Sequence, residues 1–124
     1  MRRLFVTLAA LIGGLAVVLG AFGAHALKAV LEPHLLTVFE TGVRYQMYHA
    51  LALIALAGNR WFQDGLFKVA GWLFVIGIVI FSGSLYLLTL TGMRWLGAIT
   101  PFGGIALLGA WLCTALAAWR NITE

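Results

Sequence analysis

The chain of 124 residues is 63% hydrophobic and only 10% charged, with a formal net charge of +4. This composition differs strongly from that of a soluble domain, and it predicts one integral membrane domain over residues 1–124 with no separate soluble module. The Lys and Arg residues form no basic run of the kind that binds nucleic acid, so we expect them to contact lipid headgroups near the ends of membrane segments.

The first long apolar segment, Leu4–Ala24, is interrupted only by Thr7 and is long enough to span a bilayer. A secretory signal peptide is the alternative interpretation, because two arginines precede the segment and Ala24-His25-Ala26 has the form of a cleavage site. The apolar run is longer than the roughly 7–15 residues of a typical signal peptide, which favours a retained membrane helix.

The second predicted span begins with polar residues, because only Ala50–Ala57 is purely apolar. It becomes long enough to cross the membrane if a helix covers about Val43–Phe62. Pro33 suits the first turn of a helix that begins well before this span. Glu40 and Arg44 then lie four residues apart, in the favourable order for an ion pair.

The third and fourth predicted spans are Val69–Leu90 and Ala98–Trp119. Their connections are short, so helices that follow each other in sequence are expected to run antiparallel. The sequence therefore predicts an all-α fold, a four-helix transmembrane bundle with spans at about residues 4–24, 43–62, 69–90 and 98–119.

The distribution of basic residues predicts the orientation of this bundle. Five lie on the side of the chain termini and three on the opposite side, which favours cytoplasmic N- and C-termini. The first group is Arg2, Arg3, Arg60, Lys68 and Arg120, and the second is Lys28, Arg44 and Arg94.

Polar side chains concentrate in the half of the bundle opposite the termini, where they form a candidate polar cluster. Its members are His25, Glu40, Arg44, Gln46, His49, Ser82, Ser84, Tyr86 and Thr100. Counted back from Arg60 along a helix, His49 is roughly 16 Å deep, near the centre of a bilayer core about 30 Å thick. Ionisable groups at that depth usually face a bundle interior or a wet cavity.

Two interpretations of this cluster are open. In the first it is structural, and Gln46 with His49 bonds to the face of the third helix that carries Ser82 and Ser84. In the second it is a site for a small molecule, a lipid or an ion.

A metal or haem site is a weaker alternative. His25, His34 and His49 provide three imidazoles, but their spacing fits no familiar ligand motif. The serines lack the setting of a catalytic nucleophile, so we predict no enzyme, no catalytic residue, no metal and no cofactor. The single cysteine, Cys113, cannot form an intrachain disulfide.

Small residues are spaced by four along the first segment in two runs, Ala9 with Gly13 and then Ala16, Gly20 and Ala24, and again in the fourth segment as Ala106 and Ala110. Such ridges allow close helix approach, which predicts either internal packing or self-association.

Four stretches together resemble the YgdD-like family of small, uncharacterised bacterial inner-membrane proteins. They are residues Gly20–Lys28, Thr41–His49, Phe81–Tyr86 and Thr100–Gly104, and the resemblance covers about residues 4–119. It implies a four-helix, multi-pass protein of the bacterial inner membrane. It implies no activity, substrate or catalytic residue.

The leading functional hypothesis is a non-enzymatic role, structural or in binding a small ligand or lipid, with a polar pocket around His49. The lipid bilayer is the expected partner, and a small homo-oligomer is a further expectation. A small transporter or channel subunit is one alternative, suggested by ionisable groups at membrane depth. A haem- or quinone-linked redox accessory, suggested by the three histidines, is the other.

Overall fold

The computed structural model describes residues 1–123, which form four α-helices joined by short connections. The helices are α1 (Arg2–His25), α2 (Pro33–Gly58), α3 (Gly65–Thr91) and α4 (Thr100–Asn121). Short 3₁₀ helices occupy the connections at Leu27–Ala29, Arg60–Gln63 and Arg94–Ala98. Residues 1–123 contain no β-strand, so the predicted all-α fold is confirmed.

Local sequence signals define where several of these helices begin and end. Pro33 lies in the first turn of α2, where its missing N–H costs nothing. The carboxylate of Asp64 accepts the N–H of Leu66 at 2.8 Å and so caps the start of α3. Gly92 ends α3 in the left-handed conformation, with φ of 74°, which glycine adopts without steric cost.

The prediction that the second helix extends to Phe62 is wrong, because α2 ends at Gly58. Asn59 is extended and its side chain accepts the N–H of Trp61 at 2.9 Å, which starts a separate 3₁₀ turn. Phe62 is buried in this turn and packs edge-on against Phe5 with ring centroids 5.4 Å apart. The end of α2 at Gly58 thus allows the connection to α3 to pack against α1 through Phe62.

Three helical segments among residues 1–123 are long and apolar enough to cross a membrane. They are Arg2–Ala29, Gly65–Thr91 and Arg94–Asn121. α2 is not among them, since polar residues occupy much of its first half. Its 26 residues would extend about 39 Å, which exceeds a bilayer core of about 30 Å. A fourth crossing, by α2, stays a prediction.

Each helix packs mainly against the next one in sequence, and neighbours are antiparallel. The largest fully buried side chains are phenylalanines, of which Phe39 packs against Tyr86 in the half of the bundle away from the chain termini. Four others are gathered toward the end that holds both termini, where Arg2 donates to the Gly58 carbonyl at 2.9 Å. These four phenylalanines are Phe5, Phe62, Phe67 and Phe74.

The small residues of α1 serve internal packing. Ala9 and Ala16 are buried, and a Cβ on Gly20 would lie 3.4 Å from Val43 of α2. A Cβ on Gly13 would lie 3.7 Å from Ala50. The ridge therefore brings α1 and α2 close together.

Candidate functional site

Gln46 is the centre of the polar cluster, because its side chain connects three helices. Its Nε2 donates to the Ile12 carbonyl of α1 at 2.8 Å, and its Oε1 accepts from the Tyr86 hydroxyl of α3 at 2.6 Å. Only 3% of Gln46 is exposed. A buried amide in apolar surroundings is costly without partners, so these two bonds make its position compatible with the fold.

A second connection joins α2 and α3 one turn away. The hydroxyl of Ser82 donates to the Gly42 carbonyl at 2.6 Å. Gly42 also leaves room for the Tyr86 ring, because a Cβ there would lie 2.8 Å from that ring. The absent side chain therefore allows Tyr86 to reach Gln46 across the helix interface.

His49 connects α2 to α4. Its Nδ1 lies 2.6 Å from the Tyr45 carbonyl, and its Nε2 lies 3.1 Å from the indole nitrogen of Trp111. A carbonyl only accepts and an indole N–H only donates, so the geometry fits the neutral imidazole with its proton on Nδ1. Both ring nitrogens are then satisfied within the protein.

A fourth connection links α3 to the first residue of α4. Ser84 and Thr100 share a hydrogen bond of 2.6 Å between their hydroxyl groups, and Ser84 also reaches the Phe81 carbonyl at 2.9 Å. This hydrogen bond fixes the start of α4 against α3.

The remaining predicted members lie apart from these connections. Glu40 and Arg44 form the expected ion pair at 3.8 Å, but about half of each side chain is exposed. His25 is exposed at the end of α1, and none of the side-chain hydrogen bonds within residues 1–123 involves it. The structure thus brings six predicted residues into helix-to-helix bonds and leaves three outside them.

As predicted, Gln46 links α2 to the face of α3 that carries Ser82, through Tyr86 one turn further along. The link predicted from His49 to α3 is wrong, because His49 bonds to Trp111 of α4. Neither residue bonds directly to Ser82 or Ser84, because the Ser82 hydroxyl donates to the Gly42 carbonyl and the Ser84 hydroxyl pairs with that of Thr100. Sequence reasoning also missed Trp111. It lies in the middle of α4, away from either end, and an indole N–H at such a position requires a buried acceptor.

A groove of 340 Å³ runs along the surface beside the His49–Trp111 bond. Its lining is aromatic and aliphatic apart from that bond and Tyr45, and consists of Tyr45, His49, Phe81, Gly104, Leu107, Leu108 and Trp111. Within residues 1–123, every buried side-chain nitrogen and oxygen has a hydrogen-bond partner. The same residues contain no group of three or more His, Cys, Asp and Glu side chains placed to hold a metal ion.

The chain is similar to bacterial proteins described only as membrane proteins. It is 47% identical to the UPF0382 membrane protein YwdK of Bacillus subtilis (strain 168), over 97% of this chain and 99% of the relative. A UPF0382 membrane protein of Staphylococcus epidermidis is 44% identical, over 93% of this chain and 94% of the relative. One of Haemophilus influenzae is 39% identical, over 98% of both chains.

No solved structure matches the chain significantly. Residues 19–104 match the family described as "Protein of unknown function (DUF423)", whose description gives no enzymatic activity. This match covers most of the chain, including all six residues of the helix-to-helix bonds. The chain therefore belongs to the DUF423 family of membrane proteins, whose function is unknown.

Proposed function

We propose that this protein has a non-enzymatic, structural role in the membrane, and that its polar cluster holds the four helices in one arrangement. The observation that supports this most directly is the complete pairing of Gln46 and His49 with groups on other helices or on their own backbone. A residue that acts as a general acid or base, or that binds a polar substrate, needs a polar atom that is accessible to that substrate. Paired atoms instead favour a structural connector.

We further propose that the groove beside His49 and Trp111 binds a hydrocarbon chain of a membrane lipid. The groove is open at the surface, its volume is 340 Å³, and most of its lining is apolar. Because His49 and Trp111 already satisfy each other, an apolar occupant would leave no polar group unpaired.

Native mass spectrometry in mild detergent tests this proposal. Leu108 lines the groove and is 70% exposed, so Leu108→Trp should fill the groove without disturbing the core. The matched control is Leu112→Trp, at a position on α4 that is 61% exposed and lies outside the groove. We expect co-purifying lipid on the wild type and on the Leu112 variant, and its loss from the Leu108 variant. Equal lipid retention by all three would reject the groove as a lipid site.

The cellular setting forms part of the same proposal. The resemblance to the YgdD-like family and the bacterial origin of the relatives support a location in the bacterial inner membrane. The excess of basic residues near the termini supports cytoplasmic N- and C-termini. Neither the family description nor the names of these relatives supports the transport or redox alternatives.

A further inference from the structure

The first half of α2 exposes polar and charged side chains on the face that is turned away from α1 and α3. Arg44 is 56% exposed along its side chain and Tyr48 is 55% exposed, and the exposed Thr37 lies on the same face two turns before Arg44. These positions are spaced by seven and four residues, so they form one stripe along the helix. Leu51, 57% exposed, continues the stripe toward the other end of α2.

The exposed faces of the other helices have a different chemistry. On α1 and α4 most exposed side chains at mid-helix are aliphatic, which suits contact with lipid chains, and none is charged. They include Leu11, Leu15, Val18, Ile105, Leu108 and Leu112. Among residues 1–123, the Glu40–Arg44 pair on the stripe of α2 is the one exposed ion pair.

The charged residues of this stripe lie deep enough in the membrane that contact with lipid alone would be unfavourable for them. His49 bonds to Trp111 at the middle of α4, so His49 is close to mid-depth in the bundle. Arg44 is five residues away along α2, about 7 Å, and Glu40 about 13 Å from the same level. Both distances fall inside the hydrocarbon half-thickness of about 15 Å, where an ionised side chain in contact with lipid is unfavourable. A polar or charged partner on this face would reduce that cost.

The stripe is complementary to itself. Two copies with the same orientation in one membrane pack around a two-fold axis along the membrane normal, so equal residues meet at equal depth. Because Glu40 and Arg44 are four residues apart on one helix, Arg44 of one copy would lie one helical turn in depth from Glu40 of the second copy, and symmetry would give the reverse pair. A lipid phosphate fits less well, because the Glu40 carboxylate would repel it and headgroups lie outside the hydrocarbon core.

We propose that the exposed stripe of α2, defined by Thr37, Glu40, Arg44, Tyr48 and Leu51, is the interface of a homodimer with parallel subunits. Reciprocal Glu40–Arg44 pairs between the two copies shield the charges from lipid. This interface lies on α2, not on the small-residue ridge of α1, which is used for internal packing. It does not depend on the lipid groove, whose residues are left unchanged in the test below.

Thiol cross-linking in membranes tests the position of the interface. In a Cys113→Ala background, which removes the free cysteine, Tyr48→Cys and Leu51→Cys place a thiol on the stripe. Leu15→Cys on α1 and Leu112→Cys on α4 are the matched controls, with similar exposure of 52% and 61%. With a short bifunctional reagent, we expect covalent dimers from the two α2 variants and monomers from the controls. Equal yields at all positions, monomers throughout, or an α2 adduct with a different protein would each overturn the proposal.

Charge exchange tests the pairing separately. Glu40→Arg gives a chain with two cations on the stripe, and Arg44→Glu gives a chain with two anions. Each variant alone should lose dimer by about tenfold or more, because like charges meet across the axis. Co-expressed with different tags, the two variants should pair with each other and restore dimer, a result that misfolding cannot produce. Failure of this mixed pair to form, with both chains present in the membrane, would contradict the reciprocal ion pairs.

Discussion

Individual polar residues in this bundle are stabilised by partners on neighbouring helices. Gln46 is 3% exposed and uses both ends of its amide, while His49 is 6% exposed and uses both ring nitrogens. In a membrane such bonds contribute on average about 0.6 kcal/mol each, with a maximum near 1.7 kcal/mol. Their larger effect is on specificity, because a shifted helix would leave buried polar atoms without partners.

Gln46→Leu is expected to destabilise the bundle by about 1–2 kcal/mol, because it removes two helix-to-helix bonds and takes from the Tyr86 hydroxyl its acceptor on α2. The measurement is reversible unfolding in mixed micelles. Gln63→Leu, the same change at an exposed site in a connection, is the control and should have little effect. Adding Tyr86→Phe to Gln46→Leu should cost less than the sum of the single changes, and strict additivity would show that the two side chains are not coupled.

Gly103→Ala is expected to separate α3 from α4. A Cβ at this position would clash with the backbone nitrogen of Phe81, and a backbone atom cannot rotate away as a side chain can. We expect a loss of about 1–3 kcal/mol or more in the same unfolding measurement. Gly104→Ala is the matched control, since its Cβ would lie 4.0 Å from Phe81 in ordinary contact. Similar stability of the two variants would mean that the helices are further apart than described.

At the scale of elements, α2 differs most from what its sequence alone suggests. Its polar first half lowers its hydropathy, yet the helix is continuous for 26 residues and lies between α1 and α3. Gly42, Gln46 and His49 are directed at neighbouring helices, where their backbone and side-chain groups find partners. Neighbouring helices therefore make a polar helix compatible with the membrane.

The cap of α3 predicts a pH dependence of stability. The N–H of Leu66 holds the pKa of the Asp64 carboxyl below its usual value, with further lowering by the Asn121 side chain and the Arg120 charge. A carboxyl with a depressed pKa in the folded state stabilises the protein above its unfolded pKa. This contribution is lost as the pH falls through the folded pKa.

Asp64→Ala should therefore unfold at a lower temperature than the wild type at neutral pH, with the difference shrinking below about pH 4. Asp64→Asn is the control, because an amide oxygen still caps the helix but does not titrate. It should keep most of the stability and lose this part of the pH dependence. An unchanged difference between wild type and the Ala variant down to strongly acidic pH would contradict the role of the carboxylate.

At the scale of the whole molecule, the number of crossings depends on α2. Four crossings put both termini on one side, with residues 59–64 beside them and the connections at 26–32 and 92–99 on the opposite side. If α2 did not cross, residues 26–32 and 59–64 would share one side. The packing of α2 along the length of α1 favours four crossings.

Thiol labelling in intact cells distinguishes these two arrangements. In the Cys113→Ala background, Lys28→Cys and Met93→Cys should react with a membrane-impermeant reagent, and Gln63→Cys only after permeabilisation. This pattern requires four crossings with cytoplasmic termini. Equal labelling of positions 28 and 63 in intact cells would establish that α2 does not cross.

The sequence by itself determined the class of the protein and most of its helices. Long apolar runs identify α1, α3 and α4, since apolar length is what a bilayer selects. Pro33, Asp64 and Gly92 set helix boundaries through effects that extend over only a few residues. Which residues are unusually polar for their depth also follows from sequence, because depth depends on position along a helix.

Only the tertiary structure decided how the polar residues pair and which of them remain exposed. The bond from His49 to Trp111 joins residues 62 positions apart, and that from Gln46 to Tyr86 joins residues 40 apart. Such pairings depend on the rotation and approach of whole helices, which glycines such as Gly42 and Gly103 permit through contacts with other helices. Local sequence patterns carry no information on that rotation, so they placed Gln46 against α3 without identifying Tyr86 as its partner, and they assigned His49 to the wrong helix.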